Sequence, residues 1–220
     1  LRALWVRSRF AALSARAQAG TGAQTLTLGF VFAGGAKSTM LRGVGPGLLK
    51  GDASLVGREL ADPVLTLFEL QTVDGTAQFV AAATNDEWGG SAALREKFSA
   101  LGMGTLDGDS HDAAWLGTPT RTVCTAQVSG VGGTTGLALA EVYDAALAVR
   151  AQRLAALSVR NQVGTGADQL IVGFVIVGDA PKRVILRGVG PGLVPQVDGS
   201  IFTDPAFRPG DAHLVGRRRK

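Results

Sequence analysis

The chain is predicted to be all-β: an antiparallel, jelly-roll-like β-sandwich with one short helix, followed by a truncated second copy of its own opening strands. Three observations predict this. Apolar residues recur with period two along successive segments, which is strand periodicity. Gly is abundant, at 31 of 220 residues, and falls at closely spaced turn signals, which favours many short strands over helices. The segment Arg9–Leu49, RFAALSARAQAGTGAQTLTLGFVFAGGAKSTMLRGVGPGLL, returns at Arg153–Val194 as RLAALSVRNQVGTGADQLIVGFVIVGDAPKRVILRGVGPGLV. A period of roughly 145 residues belongs to tandem domains rather than to a short solenoid repeat. The expected organisation is a lead-in over 1–8, a complete repeat over 9–146, a linker over 147–152, and a partial second repeat with a basic tail over 153–220.

Each element has its own signal. Phe10–Arg16 reads as a first strand, ended by the turn Gly20-Thr21-Gly22. Leu26, Leu28, Phe30 and Phe32 alternate on one face of the next strand, and Leu170, Val172, Phe174 and Ile176 repeat them. The opposite face is also largely apolar, which predicts a central strand covered on both sides. Ser38–Val44 is a third strand, stopped by Gly45-Pro46-Gly47. After an irregular connection over Leu48–Gly57, Val64–Leu70 and Gln78–Thr84 flank Asp74-Gly75 as a hairpin. Ser91 caps a helix ending at Leu101, with Leu94, Phe98 and Leu101 on one face and Gly102 after it. A polar loop, Gly102–Asp112, follows. Thr122–Val128 and Leu137–Val142 are the last strands of the first copy, and Leu170–Val177 and Arg183–Val189 are strands of the second.

Composition excludes several classes. The net charge is +4, but the terminal Arg217–Lys220 are all basic and the remainder is neutral. A nucleic-acid surface needs basic residues clustered on a folded face, so nucleic acid is not an expected partner. No apolar run reaches transmembrane length, so no membrane insertion is expected. The single cysteine, Cys124, forbids an intrachain disulfide and reads as a small buried hydrophobe. No signal peptide is visible, and the start at Leu1 leads us to expect a piece of a longer polypeptide.

No catalytic grouping is expected. Gly34-Gly35-Ala36-Lys37-Ser38-Thr39 lacks the spacing and following helix of a phosphate loop, and Pro181 removes an amide donor from its twin. His111 and His213 stand near no nucleophile pattern, and two isolated histidines do not make a His-based zinc site. Two acidic loops are candidates for calcium, which favours several oxygen ligands. One carries Asn85, Asp86 and Glu87; the other carries Asp107, Asp109 and Asp112. Trp88 is the candidate glycan contact, because an aromatic ring offers a flat apolar face; packing against the fold is its other reading. Arg42 and Arg187 precede the two Gly-Val-Gly-Pro-Gly turns. Each is expected to pair with a carboxylate or with carbonyls and to pin its turn.

Leu60–Phe68 (LADPVLTLF), Ala83–Trp88 (ATNDEW) and Val128–Gly136 (VSGVGGTTG) together resemble a bacterial extracellular β-sandwich repeat. More distantly they are similar to the pre-peptidase C-terminal domains, jelly-roll-like modules of secreted proteins. Trp88 departs from that family by interrupting its acidic pair, and the second copy has no counterpart of the strands after Asp204-Pro205. The resemblance implies a non-catalytic structural or adhesion module, extracellular or at the cell surface, in a multi-repeat bacterial protein. Its partners would be other repeats of the same polypeptide or a surface polymer. The alternative it implies is a carbohydrate- or calcium-binding accessory module.

Overall fold

The computed structural model of the chain describes residues 8–190. The lead-in through Arg7, Pro191-Gly192, Asp204-Pro205, His213 and the basic tail Arg217–Lys220 lie outside the described residues. Arg9–Val177 forms one compact unit, which runs past the repeat boundary at Arg153. A second unit comprises Leu1–Ser8 and Gly178–Lys220. Its stretch Gly178–Gly190 carries no helix or strand, so the strand expected over Arg183–Val189 is not formed.

The elements are β1 (Arg9–Ala19), β2 (Leu26–Ala33), β3 (Thr39–Val44), β4 (Pro63–Val73), β5 (Thr76–Asn85), α1 (Ala92–Leu101), β6 (Ala113–Gly117), β7 (Val123–Gly130), β8 (Gly136–Asp144), β9 (Arg153–Arg160) and β10 (Ile171–Val177). All ten strands join one sheet, in the order β5-β4-β7-β2-β9-β1-β8-β3-β6, with β10 also on β1. Every ladder between them is antiparallel. The fold is therefore all-β with one α-helix among the described residues. No helix there is long and apolar enough to cross a membrane.

The path has a weak point that organises it. β9 and β1 meet through the pair Phe10–Leu154. On one side of that pair lie β5-β4-β7-β2-β9, and on the other β10-β1-β8-β3-β6. The inward alternation of both groups feeds one core: Leu13, Ala15 and Ala17 of β1, Leu26, Leu28, Phe30 and Phe32 of β2, Leu65 and Leu67 of β4, Ala126 and Val128 of β7, and Ala138, Ala140 and Val142 of β8. Small Ala side chains of β1 and β8 and larger ones of β2 and β4 share this one buried cluster. Phe30 and Phe32 meet edge to face at 5.7 Å. A smaller core holds Trp88, Phe98, Met40, Val44, Met103 and Leu106 under α1. Ser91 Oγ accepts from Leu94 N to cap that helix, and Gly102 ends it in the left-handed conformation.

Three local expectations are corrected. β6 lies in a stretch with no sequence assignment, because its apolar run Ala113–Leu116 is too short to show a period. The connection after β3 contains two 3-10 turns, Pro46–Lys50 and Ala53–Leu55, the second capped by Asp52. The outer face of β2 is only half-buried. With Phe79, Val123 and Ala156, Gly29 and Val31 line a shallow depression of about 180 Å³ there.

The second copy pairs with the first in a reciprocal way. β9, the twin of β1, lies on β2: Thr27 faces Arg160, Leu28 Val159, Gly29 Ser158, Phe30 Leu157 and Val31 Ala156. β10, the twin of β2, lies on β1: Ile171 faces Arg16, Val172 Ala15, Gly173 Ser14, Phe174 Leu13 and Val175 Ala12. Exchanging the copies turns one ladder into the other, residue for residue. The irregularities match as well, with Ala11 and Ala155 skipped at equivalent places. The pair Phe10–Leu154 maps onto itself. A Ser faces a Gly in both ladders for a steric reason: a Cβ on Gly29 would stand 2.3 Å from Ser158 Oγ, and one on Gly173 would stand 3.2 Å from Ser14 Oγ.

Candidate functional site

At one end of the unit, the loop after β5 meets the loop after α1. Trp88 N donates to Asp112 O at 2.8 Å, and its Nε1 donates to Asp107 O at 2.8 Å and to Ser110 Oγ at 3.2 Å. Asn85 bridges within this corner: its Nδ2 donates to Glu87 O at 2.7 Å and its Oδ1 accepts from Ala114 N at 2.8 Å. The two acidic loops therefore come together, but their carboxylates turn to different tasks.

Asp112 is fully buried and accepts from Gly45 N at 2.8 Å, Gly47 N at 3.1 Å and Ser110 Oγ at 2.8 Å. It is the clamp on the Gly-Val-Gly-Pro-Gly turn. Gly is required there because a Cβ on Gly45 would lie 1.8 Å from Leu60 O. Asp107 is exposed and pairs with Lys50 at 2.7 Å. Asp86 and Asp109 are exposed. Trp88 is 3 % exposed. Its ring packs on Phe98 at 5.6 Å with the Arg95 guanidinium 5.2 Å from its centre, so the ring is taken up inside the fold.

Glu87 instead joins two residues outside the sequence candidates for calcium. Ligand atoms of Asp62, Glu87 and His111 all lie within 4.8 Å of one another. His111 Nδ1 is 2.5 Å from Glu87 Oε1. That hydrogen bond and the Glu87 charge hold the imidazole pKa above its ordinary value. Two carboxylates and one imidazole form a donor set suited to zinc or a similar divalent ion more than to calcium, which prefers oxygen throughout. Asp62 and His111 were missed because they are far apart in sequence and each reads alone as turn chemistry; only the sheet brings β4's first turn beside both loops.

Two buried ion pairs lie along β3 and β8, Arg42–Glu141 toward this corner and Lys37–Asp144 at the opposite end of β3. Arg42 Nε donates to Glu141 Oε2 at 2.7 Å and its Nη1 to Gly104 O at 2.6 Å, while the guanidinium lies 4.9 Å from the Phe98 ring centre. Arg42 thus meets both a carboxylate and a carbonyl. Tyr143 donates to Glu141 Oε1 at 3.1 Å. Burial and the Glu141 charge push the Tyr143 phenol pKa up. Lys37 pairs with Asp144 at 2.7 Å and also donates to Val149 O and Gln152 O, which ties down the segment leading into β9. Cys124 is buried, and desolvation with Glu69 nearby pushes its thiol pKa up to about 12. A thiol so rarely ionised is a poor nucleophile.

Side chains reinforce the ladder between copies. Asn161 Nδ2 donates to Gln18 O at 2.9 Å, Gln24 Nε2 to Gln162 Oε1 at 2.6 Å, and Arg58 pairs with Asp168 at 2.8 Å. Comparison with family models, with curated proteins and with solved structures finds no match to this chain.

Proposed function

We propose that the chain is a non-catalytic structural or adhesion module of an extracellular or cell-surface multi-repeat protein. In this reading the two five-strand groups are the layers of a jelly-roll-like sandwich, akin to the pre-peptidase C-terminal modules. Successive copies are joined by exchange of their opening strands, and the partners are other repeats of the same polypeptide or a surface polymer. The observation that carries the reading is the reciprocal ladder, β2 with β9 and β1 with β10, in one register. Backbone pairing along both strands couples neighbouring copies far more rigidly than a flexible linker, which is what a spacer or adhesion stalk requires.

Leu154 tests this. It belongs to the second copy yet is 1 % exposed, in the core of the first. With Trp5 and Trp115 replaced by Phe so that Trp88 is the one tryptophan left, Leu154→Asp buries an unpaired carboxylate and should destabilise the transition reported by Trp88 fluorescence by about 3 kcal/mol or more. An unchanged Trp88 transition would show that the copies fold independently and would remove the structural basis of the reading.

Of the carbohydrate- or calcium-binding alternative, a second reading as a cation-binding accessory module is favoured by the Asp62–Glu87–His111 grouping. It predicts that millimolar zinc or manganese raises the melting temperature through ligand linkage, more than calcium does, and that His111→Ala abolishes the shift. An equal shift in His111→Ala would remove that reading.

A further inference from the structure

We infer, building on the exchange reading above, that β9 and β10 form the receiving half of a second unit. Its occupant is the strand set that completes the second repeat in the same polypeptide: Arg183–Val189, the sequence counterpart of β3, with the counterparts of β4 to β8 that continue from it. In the first copy, β1 carries β8 on the edge opposite β10, and β2 carries β7 on the edge opposite β9. Exchanging the copies places a counterpart of β8 on β9 from Ala156 onward, and a counterpart of β7 on the outer edge of β10. Among the described residues no strand lies on either edge.

Burial agrees position by position. Val172 is 46 % exposed where its twin Leu28 is 0 %. Leu157 and Val159 are partly exposed where their twins Leu13 and Ala15 are buried. β1 continues to Ala19 along β8, whereas β9 stops at Arg160. Charge agrees too. Arg42 and Lys37 are neutralised by Glu141 and Asp144, both on β8. The sequence twin of Arg42 is Arg187, so the incoming counterpart of β8 brings the carboxylate that Glu141 supplies in the first copy. An apolar strand with an open edge is a template for strand addition. The product is two continuous sheets. One runs β5-β4-β7-β2-β9 into counterparts of β8, β3 and β6. The other runs β6-β3-β8-β1-β10 into counterparts of β7, β4 and β5.

The test compares the full chain with a chain continued after Val194 by a second copy of residues 50–147, using hydrogen–deuterium exchange and sedimentation. In the continued chain, free-edge amides of β10 and of residues 156–160 should exchange about 100-fold more slowly, as edge amides do once paired in a stable sheet. The particle should stay monomeric, and Val172→Asp should reverse the protection. Equal exchange in the two chains overturns the inference, and so does a dimer in which the added segment covers another molecule. If the continued chain does not fold, a synthetic peptide of Thr122–Asp144 added to the full chain decides. Slowing of the same amides supports the inference, and no slowing overturns it. Should the β2-facing amides of β9 already be unprotected in the full chain, the exchange reading fails as well. If they are protected there and the extension adds nothing, this inference fails alone.

Discussion

His111 and Glu87 show how much a single contact sets at the surface of this fold. The imidazole accepts its extra stabilisation as a cation, so its folded pKa lies above the ordinary 6.5. The contribution of the pair to stability is therefore fully present below that unfolded value and is lost as pH rises through the folded one. Both side chains are exposed, so the effect belongs to the titration more than to the melting curve. Histidine proton shifts should report a midpoint for His111 above 6.5, and Glu87→Gln should lower it. A midpoint unmoved by Glu87→Gln would mean that the contact is not populated in solution. The histidine itself was visible in the sequence as a loop residue, but its partners were not, since nothing local distinguishes Glu87 from Asp86.

At the scale of elements, the Gly-Val-Gly-Pro-Gly turn after β3 is a loop folded over one carboxylate. Two backbone N–H groups and one hydroxyl point at Asp112, and the loop passes too close to Leu60 for any side chain at Gly45. Asp112→Ala would leave buried donors unpaired and should cost about 2–3 kcal/mol, measured by denaturant unfolding. A loss under about 0.5 kcal/mol, the level of an ordinary surface change, would mean that water replaces the carboxylate. The strands around this turn were largely legible, because alternation at Leu26–Phe32, Val64–Leu70 and Thr122–Val128 directly encodes which face is buried. The helix was legible from Ser91 and Gly102. β6 was not, since five residues held as an edge strand on β3 alone need no pattern of their own. Asp112 read as one more loop acid because the amides it serves come from a turn far away in the sequence.

At the scale of the whole molecule, repetition was plain in the sequence, but the partner of each repeated strand was not. Copies this similar carry matching edges, so β1 could pair with β2 of its own copy as a hairpin in the same register that it uses with β10. Ser14 would then face Gly29, and Ser158 would face Gly173. Local pattern is the same in both arrangements, and only the tertiary path separates them. The exchanged path lets β9 cover Phe30 and seat Leu154 in the first core, while Lys37 holds the segment that leads there. The outer edges of β9 and β10, which take β8 and β7 in the first copy, are open in either arrangement. Cross-strand nuclear Overhauser contacts in the full chain decide between them most directly. The exchanged arrangement predicts contacts between Gly29 and Ser158 and between Ser14 and Gly173; contacts between Ser14 and Gly29 instead would contradict it.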